Sequence, residues 1–380
     1  MLLLLITNGG CRKESSFRKT IVTTDFVSEV VSTGDVNHDG KKDILAGTSW
    51  YEAPDWKRHE IMSGPYAFNP DKDYSHSFAS AAADVNHDGW IDWLNVDFPG
   101  TTASWFENPG QREGAWKQHV IFPTLSNESP AFVDLDGDGN MDLVGADSVA
   151  RQIIWMKGPS GDENEWKKFT VSGTNAPGTD VFSHGLGIGD VNMDGTKDIL
   201  ITEGWWEGPP SLSDSNWKFH PADLGDPCAQ MYTVDVNGDG LQDVISTSAH
   251  LSGIWWHEQL KGGEPDWEHH VISYAFAESH ALAMADLNDD GHPDIITGKR
   301  SLKRNTWRKN PGTHGLPLLF WFEYMPSEPY WTPHQIDDAS GAGLNIAIDD
   351  MNGDGKPDIV IANFKGVFLF ENHLTVQKKP

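Results

Sequence analysis

The stretch GDVNHDGKKDIL, Gly34 to Leu45, decides how the rest of the chain is read. Asp35, Asn37 and Asp39 place oxygen-bearing side chains on alternate residues, and Gly40 follows at the sixth position, where a tight loop turns sharply. That start matches an EF-hand calcium loop. An EF-hand, however, closes with a bidentate Glu at position 12, and position 12 here is Ala46. Asp43 stands at position 9 instead and runs directly into Ile44 and Leu45, an apolar pair that reads as a strand. Hard oxygen ligands on alternate residues suit Ca²⁺, which takes roughly six to eight oxygens in flexible geometry. The segment is expected to be a calcium loop between two strands.

The pattern D-x-[ND]-x-D-G-x-x-D is written seven times, with starts 49, 50, 56, 45, 51 and 64 residues apart. The second copy offers Asp84, Asn86, Asp88 and Asp92; the third Asp134, Asp136, Asp138 and Asp142. The fourth offers Asp190, Asn192, Asp194 and Asp198, and the fifth Asp235, Asn237, Asp239 and Asp243. Asp286, Asn288, Asp290 and Asp294 form the sixth; Asp350, Asn352, Asp354 and Asp358 form the seventh. Each loop is preceded by a small or apolar strand (HGLGIGDV, HALAMADL) and followed by a β-rich one (KDILIT, QDVIST). An aromatic strand (WYEAP, WFENPG, WWEGPP) and a last strand (WKRHEI, WKQHVI, WKFHPA) complete the repeat. Four strands in about 50 residues, repeated seven times, predict an all-β, seven-bladed β-propeller.

The last strand settles the boundaries. Six repeats carry their own copy, but the seventh ends at GVFLFENHL without one. The missing strand stands at the other end, as FRKTIV, Phe17 to Val22. It is expected to complete the last blade and close the ring, which removes the exposed edges of an open sheet. The domains are then residues 1–16 as a signal or disordered start, 17–372 as the propeller and 373–380 as a tail.

With these repeats the chain resembles the FG-GAP or VCBS class of calcium-loop propellers over essentially residues 17–372. Adhesion heads, polysaccharide lyases and sugar dehydratases share such blades, so the fold does not name the function. The resemblance implies structural Ca²⁺, up to seven ions.

The formal charge of −28 is mostly loop chemistry, because the seven loops place twenty-two aspartates at their ligand positions. Such acidity argues against nucleic acid or an anionic membrane as partner. The seventeen tryptophans fall mainly in the aromatic and last strands, where packing explains them. Two cysteines make no disulfide framework. Cys11 follows the apolar run MLLLLITNGG and resembles the lipidation site of a bacterial lipoprotein, so any membrane link would run through a lipid on Cys11. An extracytoplasmic location follows, in the periplasm, at the outer membrane or secreted.

Function must lie in what the repeat does not explain. His59, His119, His220, His270 and His334 share one repeat position and read as structural. His76, His184 and His280 instead begin the strand leading into a loop, in the second, fourth and sixth repeats. If the calcium loops close one end of the central channel, these histidines lie at the other mouth. The following strands return to it and bring Asp97, Asp147, Glu203, His250, Lys299 with Arg300, and Asn363 with Lys365. DPCAQMY adds Gln230 and Tyr232, and NESP (127–130) breaks the repeat in the third blade. A basic run after Lys299, ending near His314, is expected to form a lid over this mouth. Unlike polar groups converging on one axis mark a binding site.

HGLGIGDVNMDGTKDILITEGWWEGP and ESHALAMADLNDDGHPDIITGKR are similar to bacterial propellers related to the fungal aldos-2-ulose dehydratase propeller. That resemblance implies loss of water from a keto-sugar, with a histidine base and a metal at the channel mouth. On this reading His184, His280, His76, Tyr232 and Arg300 carry catalysis, while Asp97, Asp147, Gln230 and Lys299 bind substrate. His184, Glu203 and His250 are the candidate ligands of a catalytic Zn²⁺ or other divalent ion, because three protein ligands leave a position open. A uronate polysaccharide lyase would use the same residue types. A glycan- or protein-binding module would need no histidine cluster.

Overall fold

The computed structural model describes residues 16–112, 114–161, 165–215, 217–261, 266–300, 315–327 and 330–375. Cys11, the start of the chain, the segment 301–314 with His314, and the last five residues therefore lie outside the described residues. Among the described residues there are strands and no helix.

The strands pair in chain order into seven antiparallel groups of four. The first is Ser32–Gly34, Asp43–Ala46, Ser49–Glu52 and Lys57–Glu60. The acidic loop joins the first two strands of every group, and its backbone repeats as faithfully as its sequence. The sixth position has φ of +84° at Gly40, +91° at Gly89 and +90° at Gly195, a region glycine enters without a Cβ clash. The fourth position also turns left-handed, with φ of 61° at His38 and 58° at His87.

Lys117–Val133 is a single long strand. Its first half pairs with Thr101–Glu107 as the outer strand of the second group, and its second half pairs with Asp142–Asp147 as the inner strand of the third. The expected last strand at the N-terminus is present as Phe17–Thr23. It pairs antiparallel with Gly366–Asn372, Phe17 opposite Asn372 and Ile21 opposite Phe368.

A hydrophobic cluster lies between each group and the next. Trp50 and Ile61 of the first group pack with Trp93 and Phe106 of the second. Val27 and Tyr51 pack with Val360 and Leu369, joining the seventh group to the first. The inner strands touch in sequence, and Ala347–Asp349 also touches Ser32–Gly34. All-β structure in curled sheets of this kind fits a β-propeller.

The pairing of Phe17–Thr23 gives a direct expectation. Removing residues 1–15 leaves this strand whole and should leave the melting temperature within a degree or two. Removing 1–23 exposes the edge of Gly366–Asn372, and the product should aggregate on heating. Equal melting and equal light scattering for the two truncations would show that the strand closes nothing.

Candidate metal centre

The five histidines at the shared repeat position are structural groups. His59 stacks on Trp50 with centroids 4.2 Å apart and an interplanar angle of 12°, and its Nε2 lies 2.6 Å from Glu52 Oε2. His119, His220, His270 and His334 repeat the arrangement on Trp105, Trp205, Trp256 and Trp321.

Three of the remaining histidines meet. His184 precedes the strand Leu186–Gly189, His250 follows Asp243–Thr247, and His280 lies in Ser279–Ala285. Although they belong to three groups, His184 Nε2 stands 3.2 Å from His280 Nε2 and 3.0 Å from His250 Nε2. The carboxylate that joins them is Glu128: its Oε2 is 3.3 Å from His184 Nε2 and 3.4 Å from His280 Nε2. Glu128 belongs to the NESP stretch, inside the long strand Lys117–Val133. Two backbone bonds hold it beside His184, from Asn127 N–H to Val181 O at 3.2 Å and from Glu128 N–H to Ser183 O at 2.8 Å.

The donor chemistry of this set fits a divalent ion. His184 Nδ1 lies 2.8 Å from the Phe182 carbonyl, which can only accept, so Nδ1 carries the proton and a neutral ring turns the Nε2 lone pair inward. The edges of the triangle His184 Nε2, His280 Nε2 and Glu128 Oε2 are 3.2, 3.3 and 3.4 Å. Donors about 2.0–2.1 Å from a tetrahedral ion are separated by roughly 3.3–3.4 Å. His280 is buried, and burial with the nearby Arg300 charge lowers its pKa to about 3, so its ring is neutral near pH 7. Burial works to raise the Glu128 pKa; hydrogen bonds donated by protonated His184 and His280 rings would lower it far below the usual range. With the lone pairs turned inward, the Arg300 guanidinium 3.9 Å away is the charge that supports the carboxylate. The site is thus two imidazoles and one carboxylate, with His250 as a third imidazole 3.0 Å from His184.

Arg300 backs the site. Its Nε and Nη2 bond Glu29 Oε1 at 3.1 and 2.7 Å, and its Nη1 lies 3.9 Å from Glu128 Oε2. Arg300 and Glu29 are both buried. Removing one partner of such a pair typically costs about 3–5 kcal/mol, so Arg300 is a fixed part of the framework.

The other expected site residues are distributed differently. Glu203 is exposed and accepts from Thr202 Oγ1 at 2.9 Å; the carboxylate beside His184 is Glu128, supplied by the preceding group. His76 pairs with Asp97 at 2.9 Å on the wall of a separate cavity of ≈ 250 Å³ between the first and second groups. Asp147 is engaged by Lys168 at 2.7 Å and by the N–H groups of Val149 and Ala150. Lys299 pairs with Glu278 at 3.2 Å, both buried. Gln230 donates to the Leu344 carbonyl and accepts from Leu282 N–H, stitching three groups together near the axis. Tyr232 donates to the Leu282 carbonyl, and burial pushes its hydroxyl up to about 12. Asn363 Nδ2 donates to the Ser340 carbonyl.

At the opposite ends of the inner strands the acidic loops share one geometry. Both oxygens of the first aspartate accept backbone N–H groups, as Asp35 does from Asp39 at 3.1 Å and from Gly40 at 3.0 Å. The ninth-position aspartate is fully buried and pins the loop to the third strand: Asp43 accepts from Val36 N–H at 3.0 Å and Ala53 N–H at 2.9 Å. Every group repeats this double bond, through to Asp358 with Met351 and Asn372. An FG-GAP-like repeat model matches the chain over residues 84–145, 134–201 and 235–297. The chain carries FG-GAP-like repeats.

A T-cell immunomodulatory protein homolog from Plasmodium yoelii yoelii is 26% identical over 194 residues, 42% of this chain and 26% of the relative. The match therefore spans about a quarter of that relative's length. Among solved structures, BBS1N in complex with ARL6DN is similar with a TM-score of 0.54 and 10% identity, covering 96% of this chain and 98% of that one. The exotype rhamnogalacturonan lyase YesX is similar with a TM-score of 0.50 and 12% identity, covering 94% and 73%. At these identities the likeness is one of fold.

The FG-GAP loops fit a cation on the same kind of observation as the histidine site. Burial pushes the ninth-position carboxyls up, Asp43 to about 6 and Asp92, Asp198 and Asp294 to about 7. Backbone N–H groups offset part of this, while the aspartates at the first and fifth positions push the same way as burial. Converging oxygens that resist holding their charge together are the donor set a hard cation relieves.

Proposed function

We propose that the chain is a seven-bladed propeller closed by Phe17–Thr23, with structural Ca²⁺ in its FG-GAP loops and a divalent transition-metal centre at the other mouth. On this reading it is an extracytoplasmic carbon–oxygen lyase that removes water from a keto-sugar or related saccharide. The observation that carries the proposal is the triangle of His184, His280 and Glu128, with His250 beside it. Two imidazoles and a carboxylate with an open position are a catalytic rather than a structural ligand set. One of the similar folds is a rhamnogalacturonan lyase, which is compatible with a saccharide substrate.

A bound divalent ion would supply a Lewis acid that polarises the substrate carbonyl. His184, His280 and Glu128 fix its place, and the Phe182 carbonyl fixes the His184 tautomer. His250 takes the proton α to the carbonyl at Nε2. The C–H electron pair becomes the new C=C bond, the β C–O pair leaves with oxygen, and His250 returns its proton to make water. No redox partner is needed. The commitment of Arg300 to Glu29 and Glu128 favours a keto-sugar over a uronate, whose carboxylate would want a free guanidinium. The lipid anchor on Cys11 and the saccharide itself belong to the same proposal.

The test is turnover. Purified protein is offered keto-sugars and, separately, uronate oligosaccharides, and the conjugated product chromophore is followed. Product from the keto-sugar that disappears on treatment with a transition-metal chelator and returns with Zn²⁺ supports the proposal. No product under any metal, with the metal shown to be bound, removes it.

A further inference from the structure

Two residues beyond its stacked tryptophan, the third strand carries a glutamate in five groups, and this residue faces two ways. One oxygen meets the stacked histidine, as in His220–Glu207 and His270–Glu258, both 2.6 Å. The other turns to the third position of the acidic loop: Asn237 Nδ2 donates to Glu258 Oε1 at 2.7 Å, and Asn37 Nδ2 to Glu52 Oε1 at 3.4 Å. The position therefore sets the charge seen by the loop.

The third group departs at three places that belong together. Lys157 stands where the glutamate should be. Phe169 takes the place of the histidine and stacks on Trp155 with centroids 4.8 Å apart. Asp136 replaces the asparagine at the third loop position, making all four side-chain positions of this loop aspartates. Lys157 Nζ is ion-paired with Asp136, and with Asp138 at 2.6 Å. Asp134, Asp136 and Asp142 each offer an oxygen within 4.8 Å of the others, and Lys197 of the next group bonds the Asp134 carbonyl. A primary ammonium is a compact charge with three donors and can serve several carboxylates at once. A histidine in place of Phe169 would lack the glutamate that bonds it in the other groups, and the apolar ring needs no such partner.

We propose that Lys157 is the built-in cation of the third loop, so that this loop is completed without calcium while the other six take it up. This rests on the calcium reading of the FG-GAP loops. It makes the ring unequal, with one site that chelation does not open.

The experiment counts calcium bound at saturation by the full chain, by equilibrium dialysis, for wild type, Lys157→Glu and Lys157→Met. Wild type should bind six ions and each variant seven. In EGTA, Lys157→Met should melt below wild type, because its loop has lost its cation, and excess calcium should close the gap. Seven ions on wild type, or no gain in either variant, overturns the inference while leaving the calcium reading intact. A wild-type chain that binds none overturns the calcium reading itself. If Lys157→Glu does not fold, Lys157→Met decides both measurements.

Discussion

Removing calcium with EGTA should lower the melting temperature of the protein by on the order of 20 °C. An ion present at a hundredfold its Kd stabilises the folded state by about 2.7 kcal/mol per site. Six such sites give roughly 16 kcal/mol, and a chain of this length shifts by about 1.3 °C per kcal/mol. The calcium-free protein should also show a particular pH dependence. The folded pKa of Asp43 is about 6 and that of Asp92 and Asp198 about 7, above the unfolded value of 3.8. Carboxyls raised in this way give stability that is complete below the unfolded pKa and lost as pH rises through 6–7. Chelated protein should therefore melt lower at pH 8 than at pH 6.5. Calcium should abolish that difference. His257, whose pKa is held at about 3 by burial beside His269, acts in the opposite sense only below about 6.5, outside this window. A melting curve unchanged by complete calcium removal would end the structural role of the loops.

The second large effect separates the ligands from the base. Glu128→Ala and His184→Ala should lose the transition metal and abolish turnover. His250→Ala should keep the metal and lose turnover by about a hundred- to ten-thousandfold, the usual worth of a positioned acid–base group. Calcium content of the three variants should stay at the wild-type value, because none touches an acidic loop. His184→Ala and His250→Ala should melt near wild type, while Glu128→Ala, which takes one of two carboxylates from the buried Arg300, should melt lower. Metal analysis together with a rate assay reads the split. Loss of metal from His250→Ala would make that imidazole a ligand and leave the base to be found elsewhere. Retention of metal by Glu128→Ala would remove the carboxylate from the centre.

The repeat made the all-β architecture legible because each loop spacing imposes one backbone turn, and the turn occurs at Gly40, Gly89 and Gly195 with nearly the same φ. The missing seventh copy of the last strand pointed to Phe17–Thr23 in the same way. Strand direction put His76, His184, His250 and His280 at one mouth, since each stands where an inner strand begins or a second strand ends. The side chains of His184, His250 and His280 meet, while His76 lies with Asp97 on a separate cavity. Glu128 was not legible. It lies in the middle of a strand that serves two groups, and its closeness to His184 depends on backbone bonds to Val181 and Ser183 that no spacing encodes. Glu203 was the natural choice because it ends the strand beside His184, yet its side chain turns to solvent and Thr202. Gln230, Asp147 and Arg300 break the repeat for packing, for a turn and for a buried ion pair, and the letters alone do not separate those uses from binding. Lys157 gains meaning only once the pairing places Phe169 against Trp155.

The central claim is that a metal sits among His184, His280 and Glu128, and anomalous diffraction from crystals of the full chain tests it most directly. The account predicts a transition-metal peak about 2.0–2.2 Å from His184 Nε2, His280 Nε2 and Glu128 Oε2. Crystals grown with Zn²⁺ that show the imidazoles hydrogen-bonded to one another, with no peak between them, would contradict it.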